Sequence, residues 1–79
     1  MATEGQVQNK LIKKLEKEGY YVIKLKATNK NGIPDLLALK PDEARFIEVK
    51  TESGVVSPLQ EYRLKELRSY GFKAEVHHG

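Results

Sequence analysis

The chain has 79 residues, no cysteine, and 14 Lys and Arg against 11 Asp and Glu, which gives a net charge of +3. A domain of this size buries only roughly 60% of the surface that its unfolded chain exposes, so a partner subunit would add stability. Without cysteine there is no disulfide and no thiolate metal site, and no stretch approaches the ~18 apolar residues of a membrane span. We therefore expect one soluble, intracellular domain over residues 1–79, mildly suited to a polyanionic partner.

The first predicted element is a helix from about Glu4 to Glu18. Thr3 and Gln6 have the spacing of a capping box, in which each side chain bonds the backbone of the other residue. Apolar residues recur at helical spacing at Val7, Leu11, Ile12 and Leu15. Steps of three and four residues also place Glu4 and Gln8 on the apolar side. A carboxylate and an amide are therefore expected at the end of the apolar stripe.

The rest of the chain predicts three strands, a second helix and a last strand. The predicted strands are Tyr20–Leu25, Asp35–Leu39, Arg45–Lys50 and Phe72–Val76. A turn at residues 40–44 separates the second strand from the third. Ser57, Pro58 and Gln60 repeat the helix-start pattern, which predicts a helix to about Tyr70. The order is αβββαβ, and it indicates a single α/β unit.

Two predicted strands carry charged residues next to apolar ones. Asp35 opens an apolar run, and Glu48 lies between Ile47 and Val49. A lone Glu-x-Lys or Pro-Asp is more often solvated, but a charge on a buried strand is costly unless it is paired or bound to a metal. If the two strands are adjacent, Asp35 and Glu48 converge on an oxygen-rich site suited to Mg²⁺ or Mn²⁺. Lys50, on the same face as Glu48, would then stabilise a phosphate or orient a water.

Two polar residues on the helices have alternative explanations. Gln60 fits the third position of a capping box, but it also shares a face with Leu64 and Leu67, so its amide could point towards the sheet. Glu4 suits a first helical turn because the helix dipole favours an acid there, and its alignment with the apolar stripe leaves an inward role open. The sequence does not decide between these alternatives.

The remaining charged residues are weaker candidates. The lysines that lead into the site are candidates for substrate contact: Lys24, Lys26 and Lys30. The basic residues of the second helix suit its outer face, although they too could contact phosphates: Arg63, Lys65 and Arg68. Adjacent histidines on an extended tail point apart, which makes a poor metal site of His77 and His78.

Three segments together resemble the VRR-Nuc domain of the PD-(D/E)XK nuclease superfamily: Gly32–Leu36, Phe46–Lys50 and Ser57–Gln60. The resemblance implies a restriction-endonuclease-like fold with a mixed central sheet flanked by helices. It also implies that Asp35, Glu48 and the backbone carbonyl of Val49 bind a divalent metal, Mg²⁺ or Mn²⁺. Lys50 is then catalytic and Gln60 is an active-site residue.

The family also places an acid on the first helix. The resemblance assigns this role to Glu4, as a catalytic residue and a metal ligand, although Gln8 occupies the position where related resolvases carry the acid. The resemblance further implies a homodimeric, phage-type endonuclease that cleaves branched DNA such as four-way (Holliday) junctions. The alternatives are a sequence-specific restriction or homing endonuclease and a DNA-binding module of the same fold that does not cleave.

Overall fold

The computed structural model of the chain describes residues 2–79. Its elements are α1 (Glu4–Lys17), β1 (Tyr21–Lys24), β2 (Leu36–Lys40), β3 (Glu43–Lys50), α2 (Pro58–Ser69) and β4 (Lys73–His78). This confirms the predicted αβββαβ order. Neither helix of the described residues has the length and apolar character needed to cross a membrane.

The four strands form one mixed sheet in the order β1-β2-β3-β4. The pairs β1–β2 and β2–β3 are antiparallel, and β3–β4 is parallel because α2 carries the chain back to the same end of the sheet. Strand β3 lies inside the sheet, with a partner on each side. The predicted adjacency of the second and third strands is confirmed.

The main hydrophobic core lies between α1 and the sheet. The predicted apolar stripe of α1 is buried at Val7, Leu11 and Leu15, and it packs on Leu36, Ala38, Ile47 and Val49. Helix α2 packs against β4 and buries Leu64. Near the end of α2, Phe46 and Phe72 meet edge to face, with ring centroids 5.7 Å apart. Central β3 is therefore buried on both faces at its C-terminal half.

Two predicted boundaries, the start of β3 and the end of β4, were wrong by two residues, and the others agree to within one residue. The turn expected at residues 40–44 is shorter, since Lys40 pairs with Glu43 and leaves a two-residue turn whose Asp42 has φ +63°. The expected tail at His77 and His78 is part of β4, because these residues pair with Val49 and Lys50 of β3. In both cases pairing with a neighbouring strand lengthens a strand: β3 begins earlier, and β4 ends later, than the residues of each strand predict.

Candidate active site

Asp35 lies immediately before β2 and is fixed through both its backbone and its side chain. Its carbonyl accepts a hydrogen bond from the N–H of Leu25 at 2.8 Å. Its Oδ2 accepts another from the N–H of Val49, also at 2.8 Å. The second bond ties the Asp35 carboxylate to β3, so the two predicted motifs meet through a direct contact.

Glu48 is the one charged residue among the described residues that is buried, with 1% of its surface exposed. Burial, followed by hydrogen bonding to Asp35 and repulsion from its charge, raises the pKa of Glu48 to about 8. The nearby charge of Glu4 adds to this rise, whereas Lys50 opposes it. A buried carboxylate with so high a pKa takes up a proton unless a cation neutralises it.

Glu4 is the helix-one residue that joins this site. One carboxylate oxygen from each of Glu4, Asp35 and Glu48 lies within 4.8 Å of the other two. Gln8, the alternative helix-one candidate, is half-buried one turn along α1, and its neutral amide would add no negative charge to the three acids. Because Glu4 is the first residue of α1, the positive end of the helix dipole faces the three acids.

Lys50 lies beside Glu48 at the end of β3. Its Nζ is 3.7 Å from Oε2 of Glu48, and only 12% of its side-chain surface is exposed. The loop after β3 closes over its aliphatic stem, since a Cβ added at Gly54 would lie 3.1 Å from the Lys50 Cβ. The ammonium group is therefore held next to the carboxylates.

The backbone of Val49 points towards Asp35. In a strand the N–H and C=O of one residue point to the same side, and those of the next residue point to the opposite side. The Lys50 carbonyl accepts a bond from Gly79 on the β4 side, and the Val49 N–H bonds Asp35 on the β2 side. The Val49 carbonyl therefore also points to the β2 side, where the Asp35 carboxylate lies.

Gln60 makes both of the contacts that the sequence left as alternatives. Its Oε1 accepts a hydrogen bond from the Ser57 N–H at 2.9 Å, while the Ser57 hydroxyl accepts one from the Gln60 N–H at 3.2 Å. Its Nε2 donates to Oε2 of Glu48 across 3.3 Å. A single side chain thus completes the cap of α2 and holds the buried carboxylate.

A family model described as the VRR-NUC domain matches residues 2–79. The chain belongs to the VRR-NUC family, within the PD-(D/E)XK nuclease superfamily. A solved structure titled VRR_NUC domain protein has the same fold, with a TM-score of 0.81 over 99% of this chain and 78% of that chain, at 23% identity. The alignment supports the fold alone.

Curated relatives cover a part of this VRR-NUC domain. UPF0102 proteins of Thermotoga petrophila and Thermotoga maritima are 39% identical to it over 55 residues, which is 70% of this chain. That match covers 51% of each relative, so the chain spans about half the length of the curated relatives it matches.

The predicted contact lysines of the VRR-NUC domain are all exposed. Lys24 ends β1, next to the chain segment that bonds Asp35, while Lys26 and Lys30 lie in the following loop. The expectation of an outer face for the basic residues of α2 was wrong for Arg63, which bonds that loop. It was also incomplete for Arg68, which donates to the Ala74 carbonyl at 2.8 Å.

The contacts that hold the loop between β1 and β2, residues 25–35, against α2 were not predicted. Arg63 Nε donates to the Asn31 carbonyl at 2.8 Å, and its Nη1 bonds Glu66 at 3.0 Å. A Cβ added at Gly32 would lie 2.7 Å from Cγ of Leu59, so this glycine allows the loop to touch the helix. Gly32 belongs to the sequence motif that ends at Leu36, but no residue near it in the chain indicates that Leu59 is its contact. Since α2 also carries Gln60, these contacts set Asp35 and Gln60 relative to each other.

Proposed function

We propose that this domain is a Mg²⁺- or Mn²⁺-dependent, structure-selective endonuclease that hydrolyses phosphodiester bonds in branched DNA such as four-way junctions. The observation that carries the proposal is the group of three carboxylates, Glu4, Asp35 and Glu48, whose oxygens lie within 4.8 Å of one another. Three acids at this distance repel one another unless protons or a cation neutralise them. Their hard oxygen donors suit Mg²⁺ or Mn²⁺, so the residues present fit a divalent ion.

Asp35 and Glu48, with Glu4 and the Val49 carbonyl, would hold the ion. When bound, it supplies Lewis-acid polarisation of the phosphate and a lowered pKa for coordinated water. The Lys50 ammonium lies 3.7 Å from Glu48, where it can orient the attacking water and stabilise the negative charge that develops on the phosphate. Gln60 keeps the Glu48 carboxylate in one orientation through its amide.

We propose that DNA approaches along the loop after β1. Lys24, Lys26 and Lys30 are exposed there, and their ammonium groups would contact phosphates on both sides of the cleaved bond. The N-termini of α1 and α2, which carry Glu4 and Gln60, lie at the carboxylates and add the positive ends of two helix dipoles to the site. These groups favour a polyanion without reading bases.

A homodimer is part of the proposal. Four-way junctions have two-fold symmetry, and a two-fold dimer presents one active site to each of two related strands. Large apolar side chains remain exposed in the isolated chain, among them Val55 at 83% and Tyr21 at 72%, as expected for a chain with a partner subunit. We further propose that residues 1–79 form a single nuclease unit and that the protein acts inside the cell. A phage origin is also proposed, and the sequence resemblance alone supports it.

The test is a cleavage assay on four-way, flap, duplex and single-stranded DNA of shared sequence, with Mg²⁺, Mn²⁺ or EDTA. We expect cleavage of the branched substrates in either metal and none in EDTA. Cleavage that follows one sequence in all substrates would favour a restriction or homing enzyme. DNA binding without a metal-dependent product on any substrate would indicate a DNA-binding module that does not cleave. A monomeric mass in solution at micromolar concentration, with and without the junction, would contradict the dimer.

A further inference from the structure

A cleft of about 240 Å³ lies between the loop before β2 and the C-terminal half of α2. Its lining residues are Lys30, Ile33, Glu66, Leu67, Tyr70 and Phe72. The volume is below the roughly 300–1,000 Å³ of pockets for drug-sized molecules, and it suits one planar ring system. The walls are apolar and aromatic, with one cation and one carboxylate.

We propose that this cleft binds one unpaired nucleobase of the DNA strand that the active site cleaves, an inference that rests on the proposed function. Tyr70 is 76% exposed and Phe72 is 44% exposed, so both rings offer surface for stacking. Phe72 is fixed by its edge-to-face contact with Phe46. Stacking on aromatic side chains is the usual way in which proteins bind unpaired bases, and it tolerates any sequence.

The charges of the cleft favour a base inside and a phosphate at the rim. Lys30 is exposed, and its backbone is fixed by two hydrogen bonds with the Thr28 hydroxyl, at 3.0 and 3.3 Å. Its side chain therefore starts from a fixed backbone position at the rim, from which the ammonium group can reach a phosphate. Glu66, held by Arg63 at 3.0 Å, would repel a phosphate but can accept a hydrogen bond from a base amino group.

The cleft lies within reach of the active site. Ile33 is two residues before Asp35 in the chain. Glu66 lies on α2 six residues after Gln60, and Tyr70 caps the end of the same helix ten residues after Gln60. At a rise of about 1.5 Å per residue, the cleft is about 9–15 Å from Gln60 along the helix axis. That distance is roughly three to four nucleotides at about 3.4 Å each. One strand can therefore reach both places, and the cleft would favour strands with unpaired bases near the cleaved bond, as at a branch point.

Binding to two single strands tests this inference in EDTA, where metal-dependent cleavage does not occur. The probes are a fluorescent oligothymidylate and an abasic strand with the same backbone. We expect Tyr70→Ala to weaken oligothymidylate binding by about 5- to 100-fold and to leave abasic binding unchanged. Tyr70→Phe should bind as the wild type does. Tyr62→Ala is the matched control, because Tyr62 is a 56% exposed tyrosine on α2 that lies outside the lining of the cleft.

Equal weakening on both strands, or no effect on either, would overturn the inference, as would a wild-type protein that binds neither strand. Circular dichroism of each variant shows whether it is folded. The two proposals fail in different ways. A base-dependent effect of Tyr70→Ala in a protein that cuts no DNA would support the cleft and contradict the nuclease. Metal-dependent cleavage with no such effect would contradict the cleft alone.

Discussion

The side-chain amide of Gln60 donates a hydrogen bond to Oε2 of Glu48 at 3.3 Å while it completes the capping box with Ser57. Gln6 makes the same capping box with Thr3 at the start of α1, with equal distances of 2.9 and 3.2 Å. Gln6, however, lines a groove with His77 and Gly79. The chain therefore contains two matched helix caps, one of which also holds a buried carboxylate.

We predict that Gln60→Ala lowers the single-turnover cleavage rate by about 10- to 100-fold, because outer-shell partners of metal ligands have effects of this size. Gln6→Ala should leave the rate unchanged. Both variants should lose about 0.5–1 kcal/mol of unfolding free energy in urea, since each loses half of a capping box. If Gln6→Ala slowed cleavage as much as Gln60→Ala does, the effect of Gln60 would be explained by helix stability alone.

The raised pKa of Glu48 predicts how the stability of the metal-free protein depends on pH. Between the ordinary value of 4.5 and the folded value of about 8, the folded protein retains a proton that the unfolded chain has lost. The free energy of unfolding should therefore fall as pH rises through this window, by up to about 1.4 kcal/mol per pH unit. Thermal unfolding in EDTA from pH 4.5 to 8 measures it.

Glu48→Gln should remove most of this slope, because the amide carries no charge at any pH in the window. Glu52→Gln, at an exposed position in the loop after β3, should keep the wild-type slope. Mg²⁺ should stabilise the wild type more at pH 8 than at pH 5, since binding displaces the proton. A slope that persists in Glu48→Gln would mean that another group is responsible.

Gly32→Ala should destabilise the fold and slow cleavage together. The new methyl group would meet Cγ of Leu59 at 2.7 Å, and the φ of +78° is itself unfavourable for alanine by about 1 kcal/mol. Gly71→Ala provides the control, since Gly71 has a φ of +91° with nothing within 4 Å of its added Cβ. The difference between the two unfolding free energies isolates the clash, which we expect to cost about 1–3 kcal/mol. Equal stability and activity would show that the loop moves freely away from α2.

Arg63→Met should slow cleavage because it releases the Asn31 carbonyl and with it the loop that leads to Asp35. Arg68→Met is matched to it: Arg68 makes the same kind of bond, at 2.8 Å to the Ala74 carbonyl, from the same helix. Both variants should lose about 1 kcal/mol of stability. We expect kcat to fall about 10-fold for Arg63→Met alone, and an equal fall in both would assign the effect to α2 as a whole.

The parts of the site that were predictable from sequence depend on local contacts. The two capping boxes join residues three apart, so their spacing is visible in the chain. The meeting of Asp35 and Glu48 required only that two strands joined by a short turn pair with each other, which consecutive strands usually do.

The parts that were missed depend on distant contacts. Arg63 and Asn31 are 32 residues apart, and which face of α2 meets the loop is set by tertiary packing. A glycine at position 32 indicates that a small residue is needed there, but the sequence does not identify Leu59 as the side chain that it contacts. The two histidines at the end of β4 have no strand-like pattern of their own, and β3 supplies the backbone partners that extend the strand to them.

The most direct test of the account is single-turnover cleavage of a labelled four-way junction in Mg²⁺ by the wild type, Asp35→Asn and Asp42→Asn. Asp35→Asn keeps the size of the side chain but removes one of the three clustered charges. Asp42→Asn changes an aspartate in the β2–β3 turn, where its φ of +63° suits asparagine. The account predicts metal-dependent product from the wild type and from Asp42→Asn, and at least a 100-fold lower rate from Asp35→Asn. Equal rates for all three proteins, or no product from any of them, would contradict it.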